Sequence, residues 1–239
     1  CGPSNAKLIE EGALSDYVWY APTEPNMKNV HMRMGEVIQS EAEEEMSGKI
    51  IGDIVKSYKK YADGALAVYF AQTVKLSKDY AEAFNEAGIP AAHLDADTPT
   101  AERESLIRKA ADGRIKVLFN VGLFGEGFDM AAMAGKPITI DAVGICRITK
   151  SFPLLVQMAM RSMRAKDYPG IILDHAGAYR EHNWLPDDDV EWTLHGAERK
   201  AVGAGIKQCD NCGAALRRGT LVCSSCGFAN IQTKEGTAI

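Results

Sequence analysis

The chain has no apolar run long enough to cross a bilayer. Its longest, 65–71 and 117–124, fall well short of the roughly 20 residues that a spanning helix needs. No charged-then-apolar leader opens it, so a soluble, cytoplasmic protein with no membrane partner is the expectation. It also lacks a phosphate-binding loop of the form G-x-x-x-x-G-K followed by Ser or Thr. Gly48-Lys49 and Gly135-Lys136 have neither the upstream glycine spacing nor the following hydroxyl. No D-E-x-D or D-E-x-H run follows a strand to hold magnesium, so the chain builds no phosphate cradle by itself. The five histidines form no ligand spacing, and no dinucleotide fingerprint or nucleophile–base pair is legible, which argues against a small-molecule enzyme. There is no internal repeat.

What is there reads as an ordinary globular composition of 239 residues, 46% hydrophobic and 25% charged, enough for one α/β domain and something small. The net charge of −5 is uneven. Glu41, Glu43, Glu44 and Glu45 form an acidic run, whereas 199–239 carry six Lys/Arg against two Asp/Glu, a local +4. Locally basic surface can grip phosphates even on an acidic protein. A short helix at 6–12, an aromatic strand at 17–21 and a helical stretch over 34–62 come first. Strands at 65–71, 91–95, 115–121, 138–143 and 170–175 then alternate with helices at 73–88, 98–113 and 153–165. Short apolar strands between amphipathic helices predict a parallel sheet covered on both faces. The expected divisions are a lead-in over 1–64, the lobe over 65–200, and a linker (201–207), cysteine module and tail over 201–239.

In the predicted helix 153–165, Gln157, Arg161 and Arg164 stand at i, i+4 and i+7 and would share one face. Guanidinium is planar, always charged and able to bond bidentately, which suits polyanionic oxygens; the plainer reading is a surface helix with solvated arginines. In GEGFD (125–129), Gly125 and Gly127 permit close backbone approach and Glu126 and Asp129 are acceptors, although glycines after a strand also serve simply to turn the chain. Asp174 and His175 close the last strand and are expected as cap or core-edge residues. His93 is expected to pack near a strand end, and Trp184 and Trp192 to pack the excursion at 180–195. Cys209, Cys212, Cys223 and Cys226 make two C-x-x-C pairs ten residues apart, the pattern of a closed four-thiolate Zn²⁺ site of zinc-ribbon type; a redox dithiol is the lesser reading. Arg217 and Arg218, between the pairs, are candidates for phosphate contact or for plain solvation.

The order HLDADTP, VLFNVGLFGEGFDM, QMAMRSMR and GIILDHAG resembles the C-terminal RecA-like lobe of superfamily 2 DEAD/DEAH-type helicases, in the bacterial and phage branch with a trailing cysteine module. The resemblance runs from about 65 to 192, with a weaker match at 8–22. It implies a RecA-like fold whose Arg161 and Arg164 act as arginine fingers on ATP, with Mg²⁺, bound mainly by a first lobe in the same parent chain or in trans. Gln157 would orient the helix or the nucleotide. Gly127, Asp129 and Glu126 would line the ATP cleft, and Thr73, Thr98 and Asn120 would meet the backbone of DNA or RNA. Three residues depart from the family pattern: Met160 for a glycine, Val121 for a threonine and Ala131 for a proline. The implied function is the second half of an ATP-dependent helicase or translocase, inert as an ATPase alone. The alternative is a non-catalytic nucleic-acid- or protein-binding module on a degenerate lobe. Cys1 in place of an initiator Met suits a fragment or split gene product, or removal of the initiator.

Overall fold

In chain order the elements are α1 (Asn5–Glu10), β1 (Tyr17–Tyr20), β2 (Met32–Arg33), β3 (Glu36–Val37), α2 (Gln39–Glu45), α3 (Lys49–Tyr61), β4 (Ala67–Ala71), α4 (Val74–Glu86), β5 (Ala91–Leu94), α5 (Thr100–Ala111), β6 (Val117–Asn120), α6 (Met130–Ala134), β7 (Ala142–Cys146), α7 (Phe152–Met160), β8 (Gly170–Asp174), α8 (Ala178–His182), β9 (Val190–Thr193), β10 (Gly196–Arg199), β11 (Ile206–Gln208) and β12 (Ala215–Arg217). They belong to a computed structural model that describes residues 3–22, 25–26, 28, 30–33, 36–47, 49–123, 129–193, 196–199 and 205–230.

Six strands pair in parallel in the order β1-β8-β7-β4-β6-β5. Every residue of β4 (AVYFA), β6 (VLFN) and β7 (AVGIC) is buried, as a sheet covered on both faces requires. The expected α/β class holds. Helix α4 shows how the sequence builds a cover. The Thr73 hydroxyl caps it by accepting from the Leu76 amide, and Leu76, Tyr80 and Phe84 recur every four residues on the buried face. There the rings of Tyr58, Phe84, Tyr69 and Phe119 pack at 5.0–5.7 Å between centroids. Gly144 in β7 is required by this cluster, because a Cβ there would lie 2.0 Å from Tyr69 Cδ1.

Three elements differ from expectation. The strand expected at 138–143 is Ala142–Cys146, because Asp141 is spent on the turn: its carboxylate accepts from the Leu66 amide and its own amide donates to the Leu66 carbonyl. The ladder with β4 starts one residue later, Ala67 opposite Ala142. The helical stretch expected over 34–62 is interrupted after α2. The Met46 carbonyl accepts from the Tyr80 hydroxyl and Ser47 Oγ donates to Glu44, so the end of α2 is satisfied by side chains. In place of a linker over 201–207, Ile206 and Lys207 belong to β11; 201–204 lie outside the described residues.

The cysteine module sits on the free side of the edge strand β1. Tyr20 bridges Ala214, and the Ala21 amide donates to the Gly213 carbonyl at 3.0 Å. Tyr61 Oη donates to the Cys212 carbonyl at 2.9 Å while its ring stacks on Tyr20 at 4.1 Å, and Tyr20 Oη meets Ser225 Oγ at 2.7 Å. Arg217 closes the junction, paired with Asp187 at 2.9 Å and with Asp188, and the Tyr17 hydroxyl donates to Asp187. Arg217 is therefore a staple within the molecule, held by two carboxylates. Arg218 stays exposed.

Candidate functional site

Helix α7 starts where the sequence says it should: the Ser151 side chain accepts from the Leu154 amide and Pro153 sits in the first turn, where its missing N–H costs nothing. It stops at Met160, short of the predicted 165. Arg161 is its C-cap, and the turn tightens as the Arg161 amide donates to Met158 and the Met163 amide to Met160. The chain then goes extended, because the Met163 carbonyl accepts from the Ser15 amide and Arg164 bridges Leu14. The helical row Gln157, Arg161, Arg164 is thus corrected: Gln157 and Arg161 stay one turn apart, and Arg164 is set by the segment before β1.

The two arginines nevertheless stay close. Arg161 is half-buried, and burial, then the Arg164 guanidinium, hold its pKa down against the opposing pull of the Asp129 carboxylate. Asp129 caps α6, its Oδ1 accepting from the Ala131 and Ala132 amides at 2.9 and 3.3 Å. Glu126 and Gly127 lie outside the described residues. Gln157 lines a small cleft of about 40 Å³ together with Phe70, Asn120, Arg147 and Leu154. Met160, at the position where the resemblance expects glycine, packs on the core and meets the Asn5 amide through Sδ at 3.9 Å.

The three residues expected at the nucleic-acid backbone all stand at carboxyl ends of strands or just beyond. Thr73 caps α4 after β4. Thr98 closes a turn with Asp95, its hydroxyl donating to Asp95 Oδ1 and accepting from the Asp95 amide, both at 2.9 Å; the N-cap of α5 is Pro99. Asn120 is fully buried, and its amide donates to the Tyr69 carbonyl at 2.9 Å, tying β6 to β4. The fold also joins Ser77, His93 and Asp95 in a hydrogen-bonded row, at 2.6 and 2.9 Å, that the sequence did not reveal. Ser77 has no exposed surface, so the row braces α4 against β5 and offers no nucleophile.

The four thiolate candidates come together. Sγ atoms of Cys209, Cys212, Cys223 and Cys226 lie within 4.8 Å of one another, with 3.7 Å for Cys209–Cys226 and 3.8 Å for Cys212–Cys223. A tetrahedron of about 2.3 Å metal–sulfur bonds has edges of about 3.8 Å, so the set fits a closed Zn²⁺-type site. Burial pushes the Cys209 thiol up, but the amides of Cys212 and Asn211 and the Asn230 side chain outweigh it and bring it down to about 6, toward the ligating thiolate. Four sulfurs leave no open position for a substrate.

A six-stranded parallel sheet in this order, covered by helices, is a RecA-like lobe. Residues 49–166 match the family described as helicase conserved C-terminal domain, and this stretch is a C-terminal RecA-like lobe of the superfamily 2 helicase type. A "51.5 kDa protein" of a Lactococcus phage (isolate 7-9) is 35% identical over 226 residues, 92% of this chain and 48% of that protein. A putative ATP-dependent helicase of Saccharomyces cerevisiae, IRC3, is 40% identical over 98 residues, 40% of this chain and 13% of its own length. UvrABC system protein B of Anaplasma phagocytophilum is 31% identical over 121 residues, 50% of this chain and 18% of that one. The chain thus spans less than half the length of these curated relatives. Among solved structures, the Escherichia coli DEAD-box protein SrmB overlays with a TM-score of 0.48 at 16% identity, over 69% of this chain and 80% of that one. Among the described residues no helix is long and apolar enough to cross a membrane.

Proposed function

We propose that this chain is the second lobe of an ATP-dependent nucleic-acid helicase or translocase, completing with Arg161 and Arg164 an ATP site built mainly by a first RecA-like lobe. The observation that carries the reading is the Arg161–Arg164–Asp129 grouping. The half-buried Arg161 guanidinium lies near the exposed Arg164 guanidinium and the Asp129 carboxylate, and a triphosphate is the polyanion that two such forks suit. Mg²⁺ would arrive with the ATP. Gln157, one turn before Arg161, orients that segment. Asp129 caps α6 just after the positions of Glu126 and Gly127, which the family resemblance assigns to the nucleotide. Thr73 and Thr98 border the track for DNA or RNA, with Asn120 holding their strands in register. ATP binding would draw the lobes together and hydrolysis would release them. The four cysteines hold Zn²⁺, which supplies folding free energy to the module and no chemistry.

The test is to supply a first RecA-like lobe with an intact phosphate-binding loop and measure nucleic-acid-stimulated ATP turnover. Turnover should appear only in the mixture and fall by about 10³ in Arg161→Ala, the effect of losing an arginine finger. Unchanged turnover in Arg161→Ala sinks the proposal. The second reading, a non-catalytic binding module, draws on Met160, whose side chain fills the place of the family's glycine. It predicts no turnover in the mixture alongside intact nucleic-acid or protein binding.

A further inference from the structure

A second cationic place lies away from the Arg161–Arg164 pair. Arg147 directly follows β7, at the carboxyl ends of the strands where open parallel sheets take their ligands. It borders a cavity of about 440 Å³ that is also walled by Lys28, Thr149, Arg180, Glu181 and the Ala176–Ala178 turn. Among the described residues of these walls Glu181 is the one carboxylate, and it is paired with Lys150. Arg180 lies over the Tyr179 ring, 5.6 Å from its centroid, and donates to the Tyr179 hydroxyl at 3.0 Å, which fixes its guanidinium at the rim. Arg147 Nε is buried with no hydrogen-bond partner. A buried donor on a permanent cation is costly when unsatisfied and therefore rare.

We infer that Arg147, with Lys28 and Arg180, forms a docking site for a phosphodiester group of a nucleic-acid strand. This rests on the proposed nucleic-acid role of the lobe and adds a contact outside its motif residues. The cavity matches the lower range of ligand pockets and has room for a phosphate with a neighbouring sugar. Among the described residues its walls include no aromatic side chain on which a base could stack, so the contact grips backbone and is indifferent to sequence. Arg147 also lines the small cleft that holds Gln157, so one guanidinium stands between the strand and the helix that ends at Arg161. Free phosphate shares the same chemistry and is the competing source.

Fluorescence polarisation of the full chain with labelled oligothymidylate and oligouridylate, over a range of salt, tests the assignment. Arg147→Met should weaken binding about tenfold and reduce the slope of log affinity against log salt by about one, while Arg147→Lys recovers part of both. If Arg147→Met does not fold by circular dichroism, Arg180→Gln should give the same direction. Unchanged affinity and slope in a folded variant, with the wild type binding normally, overturn this contact and leave the motif track standing. If Arg147→Met loses binding of inorganic phosphate but not of either oligonucleotide, the ligand is a free anion and the strand assignment falls. No binding by the wild type at low salt overturns both this contact and the track.

Discussion

At the scale of single residues, the end of β8 concentrates the buried polarity of the lobe. Asp174 is fully buried, and its oxygens accept from the amides of Ala176, Ala178 and Tyr179 and from Trp19 Nε1. Burial pushes its pKa up in spite of these donors. His175 beside it is fully buried with neither ring nitrogen bonded, and burial drives its pKa down from 6.5 to about 3. As pH falls below 6.5 the unfolded chain takes up a proton at this histidine that the folded chain refuses until about 3, so stability drops across that window. Asp174 acts oppositely: its folded form takes up a proton before its unfolded form does, which favours the fold on acidification. His175→Leu should therefore flatten the acid-side loss, removing up to about 1.4 kcal/mol per pH unit; urea unfolding at about pH 7 and about pH 5 reads it. The strand-end position made Asp174 and His175 legible as cap or core-edge residues. Arg147, a single arginine between Cys146 and Ile148, carries no sequence signal, since only the cavity beside it gives it meaning.

At the scale of elements, the segment after α7 is shaped by what it touches. A Cβ on Gly170 would lie 2.3 Å from the Ser162 carbonyl oxygen and 2.8 Å from its carbon, so the backbone between Arg161 and Arg164 rests directly on the start of β8. Gly170→Ala has to move that backbone. The expected result is a destabilisation of about 1–3 kcal/mol, and in the two-lobe mixture a larger loss of ATP turnover than of nucleic-acid affinity. Equal losses in both would show that the segment has no special part. Periodicity located α4 and the start of α7, and the caps that fix both starts are local too: Thr73 and Ser151 accept from amides three residues on. The end of α7 and the start of β7 were not local. Ser15 and Leu14 decide the first, and Leu66 the second, over separations that no window of sequence can see.

At the scale of the whole molecule, the cysteine module and the lobe share their boundary. Tyr61 holds the Cys212 carbonyl, Ala21 the Gly213 carbonyl, and Gln208 Nε2 donates to the Ala21 carbonyl, so the shape imposed on the thiolates is transmitted to α3 and β1. Removing the metal with a chelator, or making Cys209→Ser, should lower the stability of the lobe as well as the module, by about 2–4 kcal/mol for a few lost hydrogen bonds and the Arg217 pairs. Calorimetry with metal analysis checks this; an unchanged lobe transition would show that the module is merely tethered. What the sequence by itself determined was the alternation of strands and helices, the two C-x-x-C turns and the absence of a phosphate-binding loop, because each is written in residues close together along the chain. The tertiary structure alone decided which groups come near one another: Arg161 with the charges of Arg164 and Asp129, Arg217 with Asp187 and Asp188, and Arg147 with its cavity. Those meetings bring together charges from distant segments, and only closure of the sheet sets the distances between them.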